Sequence, residues 1–236
     1  MKQKSMILIA LAALVVLVGS CHWEVERNFK KTKGPKVVKT YQNIRPFERI
    51  RIDDSCICEI HFSQGDSTKI EVGSADPKAL NLIDVKSNGE WLQISQKRQR
   101  KWNIFPIIIS ITSPDLIEVN MHGSASFYVN DEFDTDILQL ALKGIGKINF
   151  QDIICDRIEA HLEGTGKMNF DQLQTQQAEL SLKGVGKINA HFVKSGSVNC
   201  SLKGVGDIDL SGEVRSLQKR KQGTGKIDVS NLKINN

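Results

Sequence analysis

A Gly-x-Gly motif recurs at nearly constant spacing along the second half of the chain, and this repeat restricts the possible folds more than any other feature. Five complete copies stand twenty residues apart, except the last, which follows at nineteen, and a degenerate copy, Gly123-Ser124-Ala125, precedes them. A constant period of this length is the signature of stacked structural repeats. The glycines of the complete copies are Gly144, Gly146, Gly164, Gly166, Gly184, Gly186, Gly204, Gly206, Gly223 and Gly225.

Apolar and polar residues alternate around each motif. In one copy, every second residue from Leu138 to Phe150 is apolar or glycine, and the residues between them are mostly polar. A period of two sustained over this length is typical of β-strands. Glycine within such a strand suits a sharp bend or a close approach of two backbones. We therefore predict an all-β fold in which each copy forms one coil of about 20 residues in a β-helix or β-solenoid.

The final copy differs from the others at its core-facing positions. It carries Lys219 and Lys221 where the earlier copies mostly have leucine or alanine. Terminal repeats of solenoids carry polar residues because no further repeat covers them, and charged edges discourage further strand pairing. We predict that this copy caps the C-terminal end of the stack.

The first twenty residues have the features of an export signal. Two lysines precede the apolar run Met6–Val18, which is shorter than the roughly 20 residues needed to span a bilayer. The run ends in Val18-Gly19-Ser20-Cys21, where small residues before a cysteine fit a lipoprotein processing site. We predict that residues 1–20 are a lipoprotein signal peptide and that a lipid on Cys21 anchors the protein to the membrane. A structural cysteine after an ordinary signal peptide is the alternative.

The net charge of the chain is too small to suggest nucleic acid as a partner. The formal net charge of +5 falls to +3 when residues 1–20, with their two lysines and no acidic residue, are removed. Part of the remaining positive charge lies in residues 21–39, which we predict to be a basic tether with five lysines around Gly34-Pro35. This tether either lies near anionic lipid headgroups or is a solvated linker.

The chain before the repeats is also rich in predicted strands, although it is not periodic. We assign residues 40–112 to an N-terminal β region and residues 113–236 to the Gly-x-Gly solenoid, and we expect 40–236 to form one continuous domain. The N-terminal strands would begin the same stack or cap its N-terminal end. A helical turn is predicted within Asp76–Ile83. The predicted strands are Phe47–Ile52, Cys56–Phe62, Lys69–Val72, Leu92–Ile94 and Ile107–Ile111.

Four cysteines follow Cys21, and we predict that they are buried free thiols. Cys56 and Cys58 lie on one face of a predicted strand, whereas His61 lies on the other face, so a metal site there is disfavoured. An oxidising compartment would permit disulfides, but the sequence does not pair the cysteines. No metal or cofactor is predicted. The four residues are Cys56, Cys58, Cys155 and Cys200.

Short motifs follow one another in a fixed order along residues 40–235. Ahead of the Gly-x-Gly series stand Phe47-x-x-Ile50-x-Ile52, Ile60-x-x-x-x-Gly65, Trp91-Leu92-x-Ile94 and Ser113-Pro114-Asp115-Leu116. In these motifs the chain resembles the bacterial family of putative auto-transporter adhesins, head GIN domain. The resemblance implies a right-handed β-helix, export as a lipoprotein in Gram-negative bacteria, and an adhesin function. It supplies no catalytic residues.

Stacking of the repeats would place two polar rows side by side on one outer face. Repeated donors at the strand spacing of about 4.8 Å could bind a repeating anionic or hydroxylated polymer such as a glycan. The alternative is the ordinary polar face of a solenoid. The residues of this candidate binding face are Lys147, Lys167 and Lys187 in one row and Asn149, Asn169 and Asn189 in the other.

The preferred function is a non-catalytic cell-envelope adhesin or binding module for a glycan or protein ligand. The alternative is an envelope structural or assembly protein, which could form homo-oligomers. A β-helical enzyme that cleaves acidic polysaccharides is third, since stacking would cluster Asp207, Asp209 and Asp228. His22 offers no acidic signal for retention in the inner membrane, so we expect an exported protein in the outer membrane, facing either the periplasm or the exterior.

Overall fold

The computed structural model describes residues 37–53, 56–97 and 107–235. The predicted signal peptide, Cys21 and residues 21–36 of the predicted tether lie outside the described residues. The described residues form fourteen β-strands and one short helix, so the prediction of an all-β fold is confirmed. No helix among them has the length and apolar character needed to cross a membrane.

The N-terminal region contains eight short strands and the helix, and the repeat region contains six longer strands. The first group comprises β1 (Val37–Tyr41), β2 (Arg49–Ile52), β3 (Ile57–Gln64), β4 (Lys69–Ser74), α1 (Pro77–Leu80), β5 (Ile83–Ser87), β6 (Trp91–Gln96), β7 (Ile107–Ser113) and β8 (Glu118–Met121). The second group comprises β9 (Ser124–Leu142), β10 (Ile145–Leu162), β11 (Thr165–Leu182), β12 (Val185–Leu202), β13 (Val205–Lys221) and β14 (Thr224–Ile234).

The six strands β9 to β14 are the coils of a parallel solenoid. β9 to β13 each run for 17 to 19 residues, longer than the roughly 3–10 residues of most strands, because each strand stays paired while it bends around the stack. Within β10 to β12, equivalent residues twenty positions apart are partners, so Gly146 pairs with Gly166 and Gly166 with Gly186. The predicted solenoid with coils of about 20 residues is confirmed.

β2 and β3 form the first coil of this stack. β2 pairs in parallel with β8, which in turn pairs with the second half of β9. β3 pairs in parallel with the first half of β9, where Ile57 lies beside Ser124. The bend between β2 and β3 therefore occupies the place that a Gly-x-Gly motif holds in the later coils.

A further layer, made of β6 and β7, lies against this first coil although it follows the coil in the chain. β6 pairs with β2 and β7 pairs with β3, both in parallel. β5 and β4 add antiparallel strands to β6 and β7, and β1 adds another to β4. The N-terminal strands thus both begin the stack and cap it. The sequence predicted neither β1 nor β5, and β1 begins at Val37, inside the segment predicted as a tether.

The core of the solenoid is built from rows of equivalent apolar side chains. Phe127, Phe150 and Phe170 follow one another along the stack with ring centroids 6.1 and 6.5 Å apart, and all three are fully buried. Rows of leucine and isoleucine fill the remaining interior. Burial of one such side chain contributes about 1.5–3 kcal/mol, so each coil gains stability by covering the apolar face of its neighbour.

The glycine rows are required by backbone contact between successive coils. A Cβ atom on Gly206 would overlap the carbonyl oxygen of Gly186 and lie 2.9 Å from its carbonyl carbon. The same overlap with the preceding coil arises at Gly186 and Gly166. Gly206 also has a φ of 142°, a conformation that residues with a Cβ rarely adopt. The sequence suggested either a sharp bend or a close approach of two backbones for these glycines. The close approach accounts for the row of Gly166, Gly186 and Gly206.

The last described coil leaves part of β13 uncovered, at the copy with the polar residues noted in the sequence. β14 pairs with β13 over Val205–Val214, and within the described ranges no strand covers the outer edge of residues 216–221. Lys219 and Lys221 lie in this segment and are exposed. Their ammonium groups remain hydrated where leucine in earlier coils is buried, so the edge is unattractive to a further apolar layer.

Replacement of Gly206 by alanine should destabilise the protein by about 2–3 kcal/mol, because the new methyl group forces the carbonyl of Gly186 away from its position. Urea unfolding measures this loss. The matched control is Val205→Ala at the neighbouring position, whose side chain is 48% exposed and whose truncation should cost well under 1 kcal/mol. Equal losses for the two variants would contradict a backbone-contact role for the glycine row.

Candidate binding face

The structure brings the six residues of the candidate binding face together in two adjacent rows. In β10, β11 and β12 the three lysines are register partners, as are the three asparagines two positions further along each strand. Both rows point outward from the same wall, because the residue between them (Ile148 in β10) faces the core. The regular backbone pairing fixes the spacing of each row at about 4.8 Å per coil.

The asparagine row is a hydrogen-bonded ladder. The Nδ2 group of Asn169 donates to Oδ1 of Asn149 at 2.9 Å, and Nδ2 of Asn189 donates to Oδ1 of Asn169 at 2.7 Å. Asn169, in the middle, is only 8% exposed. These amides satisfy one another, as stacked asparagines do in other in-register parallel sheets. The row therefore ties the three strands together along this face, using one N–H group each of Asn169 and Asn189.

The ladder stops where the sequence changes from asparagine to aspartate. Asp209 is the register partner of Asn189, and its carboxylate has no N–H to donate to the next amide oxygen. One of its oxygens forms an ion pair with Lys187. Its Oδ1 atom is buried and has no hydrogen-bond partner among the described residues. Lys187 is therefore part of the lysine row and also the ion-pair partner of the residue that ends the asparagine ladder.

The three lysines have different surroundings. The Nζ atom of Lys147 lies 5.2 Å from the centroid of the Tyr128 ring, at a distance where a cation–π interaction is favourable. Lys187 is paired with Asp209, whereas Lys167 is exposed. In the next coil the lysine row changes sign, because Asp207 is the partner of Lys187. The unbroken run of lysines is therefore limited to β10, β11 and β12, and Lys226 follows in the same row beyond Asp207.

An aromatic pair that the sequence did not predict continues the asparagine row toward the N-terminal end. Tyr128 is the register partner of Asn149, and His61 is the partner of Tyr128. The two rings are stacked, with centroids 5.4 Å apart and planes 20° apart. Nε2 of His61 also lies 2.7 Å from a carboxylate oxygen of Glu59. The repeat spacing could have identified Tyr128, but His61 is brought there from outside the periodic region.

The acidic residues considered for an enzyme are held in ion pairs and hydrogen bonds. Asp207 Oδ1 accepts a hydrogen bond from the Lys226 backbone N–H at 3.0 Å. The Lys226 ammonium group, together with N–H and O–H donors of Ser230, holds the pKa of Asp228 well below its usual range. A general acid needs a pKa close to the working pH, whereas the surroundings of Asp228 favour its charged form.

The comparisons with known proteins agree with this architecture. A family model described as "Putative auto-transporter adhesin, head GIN domain" matches residues 46–171 and 161–236. The chain belongs to this family. The resemblance seen in the sequence motifs is thereby confirmed, and membership of the head GIN family implies an exported cell-surface protein. No curated protein matches the chain in sequence.

Solved structures share the head GIN fold of this chain. A crystal structure described as a putative adhesin from Bacteroides fragilis superposes with a TM-score of 0.66 at 22% identity, covering 81% of this chain and 95% of the other. A second putative adhesin, from Parabacteroides distasonis, gives a TM-score of 0.50 at 14% identity, with the same coverage of both chains. At these identities the likeness concerns the fold alone.

In the structure, the four described cysteines of this head GIN chain are buried and unpaired by disulfides. Burial raises the pKa of Cys155 and of Cys200 to about 11 in each case, so neither is a ready nucleophile near neutral pH. His61 lies on the outer side of β3, away from Cys56 and Cys58, as the alternation predicted. Among the described residues no group of three or more His, Cys, Asp or Glu side chains could hold a metal ion.

Replacement of Asn169 by aspartate should destabilise the protein by about 1–3 kcal/mol, because Asn149 Oδ1 would lose its donor and face a carboxylate in a nearly buried row. Thermal or urea unfolding above pH 6 measures the effect. Asn199→Asp is the matched control, since Asn199 is exposed on the part of β12 that precedes the Gly204-Val205-Gly206 bend, away from the ladder. If the ladder does not stabilise the protein, the two variants will have the same free energy of unfolding.

Proposed function

We propose that this protein is a non-catalytic binding module of the cell envelope that holds a linear polyanion, most simply an acidic glycan, across the lysine row of its solenoid. The observation that carries the proposal is the in-register row of Lys147, Lys167 and Lys187 on a rigid wall. A polymer with charges repeated at a regular distance can meet such a row with several contacts at once. The name of the head GIN family, which is that of adhesins, supports the same class of function.

The asparagine ladder contributes to binding by making the wall rigid. Its hydrogen bonds link β10, β11 and β12 beside the lysines. The Cα atoms of the three lysines are therefore held at a fixed spacing. Binding then costs little backbone order, and the cost that remains is the ordering of the lysine side chains. This division of roles differs from the sequence-based prediction, in which the asparagines were themselves ligand donors.

The test is binding of the purified protein to immobilised acidic and neutral polysaccharides at several salt concentrations. The triple variant Lys147→Glu, Lys167→Glu and Lys187→Glu should lose acidic-glycan retention by at least about tenfold, and wild-type retention should fall as salt rises. Circular dichroism checks that the variant is folded.

A matched triple variant distinguishes an effect of the lysine row on binding from an effect of the net charge of the protein. Lys143, Lys183 and Lys203 precede the Gly-x-Gly bends and are exposed. Their replacement by glutamate changes the net charge by the same amount, but we expect it to leave most of the retention intact. If the wild type retains no polyanion, or if both triple variants lose retention equally, the lysine row is not the binding site.

We also propose that the protein is anchored in the outer membrane by a lipid on Cys21. Membership of an exported family supports this location, and the small residues before Cys21 supply the processing signal. Cys21→Ala should move the protein from the membrane fraction to the soluble fraction of the envelope, which immunoblotting measures.

Protease treatment of intact cells should digest the wild-type protein, because an adhesin must reach the exterior. Full protection, with digestion only after lysis, would overturn the adhesin assignment and favour a structural function inside the envelope.

A further inference from the structure

Cys56 and Cys58 lie at the bend where the first coil passes from β2 into β3. Their Sγ atoms are 3.1 Å apart, and the two side chains are 0% and 3% exposed. The Cys56 N–H donates to the carbonyl of Asp53 at 3.0 Å, so the chain turns just before β3. Both side chains face the core while Ile57 between them is half-buried, so the two sulfurs meet on the same side of the chain.

The other two cysteines lack such an arrangement. Cys155 pairs with Thr135 and Thr175 in the neighbouring coils, and Cys200 pairs with Leu180 and Lys219. They are on different rows of the solenoid, so neither has a sulfur beside it in the adjacent coils. The proximity of Cys56 and Cys58 is thus a local property of the first bend.

We propose that Cys56 and Cys58 form an intrachain disulfide in the exported protein. The oxidant is an external disulfide of the thiol–disulfide exchange class. One cysteine thiolate attacks it, a mixed disulfide forms and one thiol leaves; the second thiolate then displaces the other sulfur. The two cysteines lose two protons and two electrons, and the oxidant is reduced to two thiols. The inference rests on export, which places the chain where such oxidants occur, and is independent of any ligand.

The burial of the pair indicates when the reaction takes place. Thiols enclosed in the core cannot meet an external disulfide, and the hydrogen bond from Cys56 together with burial raises the pKa of Cys58 well above its usual value. Oxidation therefore belongs to the folding of the exported chain, before β9 covers the bend.

The position of the bond explains what it would stabilise. The backbone of the bend contacts the next layer, since the Ser124 N–H donates to the Cys56 carbonyl at 2.9 Å. A Cβ on Gly123 would lie 2.7 Å from the same carbonyl oxygen. A disulfide at this point holds the surface on which β9, the first long coil, is placed. It should therefore stabilise the N-terminal end of the stack.

The thiols can be mapped in the full-length protein purified from cell envelopes without reductant. The protein is unfolded in acid, free thiols are alkylated in denaturant, and tryptic peptides are weighed. Both cysteines fall in the peptide 52–69, whereas Cys155 and Cys200 fall in the peptides 148–157 and 195–203. We expect 52–69 to be unalkylated and lighter by two hydrogen atoms, with the other two peptides fully alkylated. Double alkylation of 52–69 would overturn the proposal.

Refolding of the purified protein tests disulfide formation independently of export. Reduced protein, unfolded and then refolded with oxidised glutathione, should recover the same disulfide, and a reduced peptide 52–69 under these conditions would overturn the proposal whatever the location of the protein. In urea unfolding, reductant should lower the midpoint of the wild type and of Cys155→Ala, but not that of Cys56→Ala/Cys58→Ala. A wild-type midpoint that does not respond to reductant would contradict the stabilising role.

Discussion

The contact between backbones at the glycine rows is the constraint on which the rest of this structure depends. Where successive coils cross at the bend, the carbonyl of one glycine occupies the space that the Cβ of the next would need, as at Gly186 and Gly206. A shift of register by one residue would place Val205 or Asp207 over that carbonyl, and their Cβ atoms do not fit. The bend therefore opposes a one-residue slip, and the observed register places most residues next to their equivalents in the neighbouring coil.

Stacking of like on like then decides which residue types stabilise a row. A phenylalanine or leucine row buries apolar surface, and an asparagine row satisfies itself because each amide both donates and accepts. A lysine row does neither, since like charges repel at the strand spacing. The row that contains Lys187 changes to Asp207 in the next coil, and Asp209 there pairs with Lys187. The outer face thus follows from the same register as the core.

The periodic part of the fold could be predicted from sequence because each coil repeats the same pattern of apolar, polar and glycine residues. The N-terminal order could not, because β6 and β7 lie against β2 and β3, whereas the next coil, which begins at β8, follows only after residues 65–117. No local pattern encodes that insertion. At the candidate site, stacking predicted both rows. It did not reveal that the Asn169 amide is used by its neighbours, which depends on side-chain orientation, or that His61 stacks on Tyr128 from the distant strand β3.

The lysine row is the part of the outer wall that stacking alone does not explain. On the other wall, Ser181 and Ser201 occupy equivalent outward positions and hydrogen-bond to each other at 3.2 Å, which shows that a short polar residue suits such a row. Two unit charges about 4 Å apart repel by about 1 kcal/mol in water, and long side chains lessen this by spreading apart. Spread ammonium groups above a rigid amide ladder leave a band of positive charge that Tyr128 and Asp209 limit at its two ends. A polyanion along that band would convert the repulsion into attraction, which is the electrostatic basis of the proposed binding function.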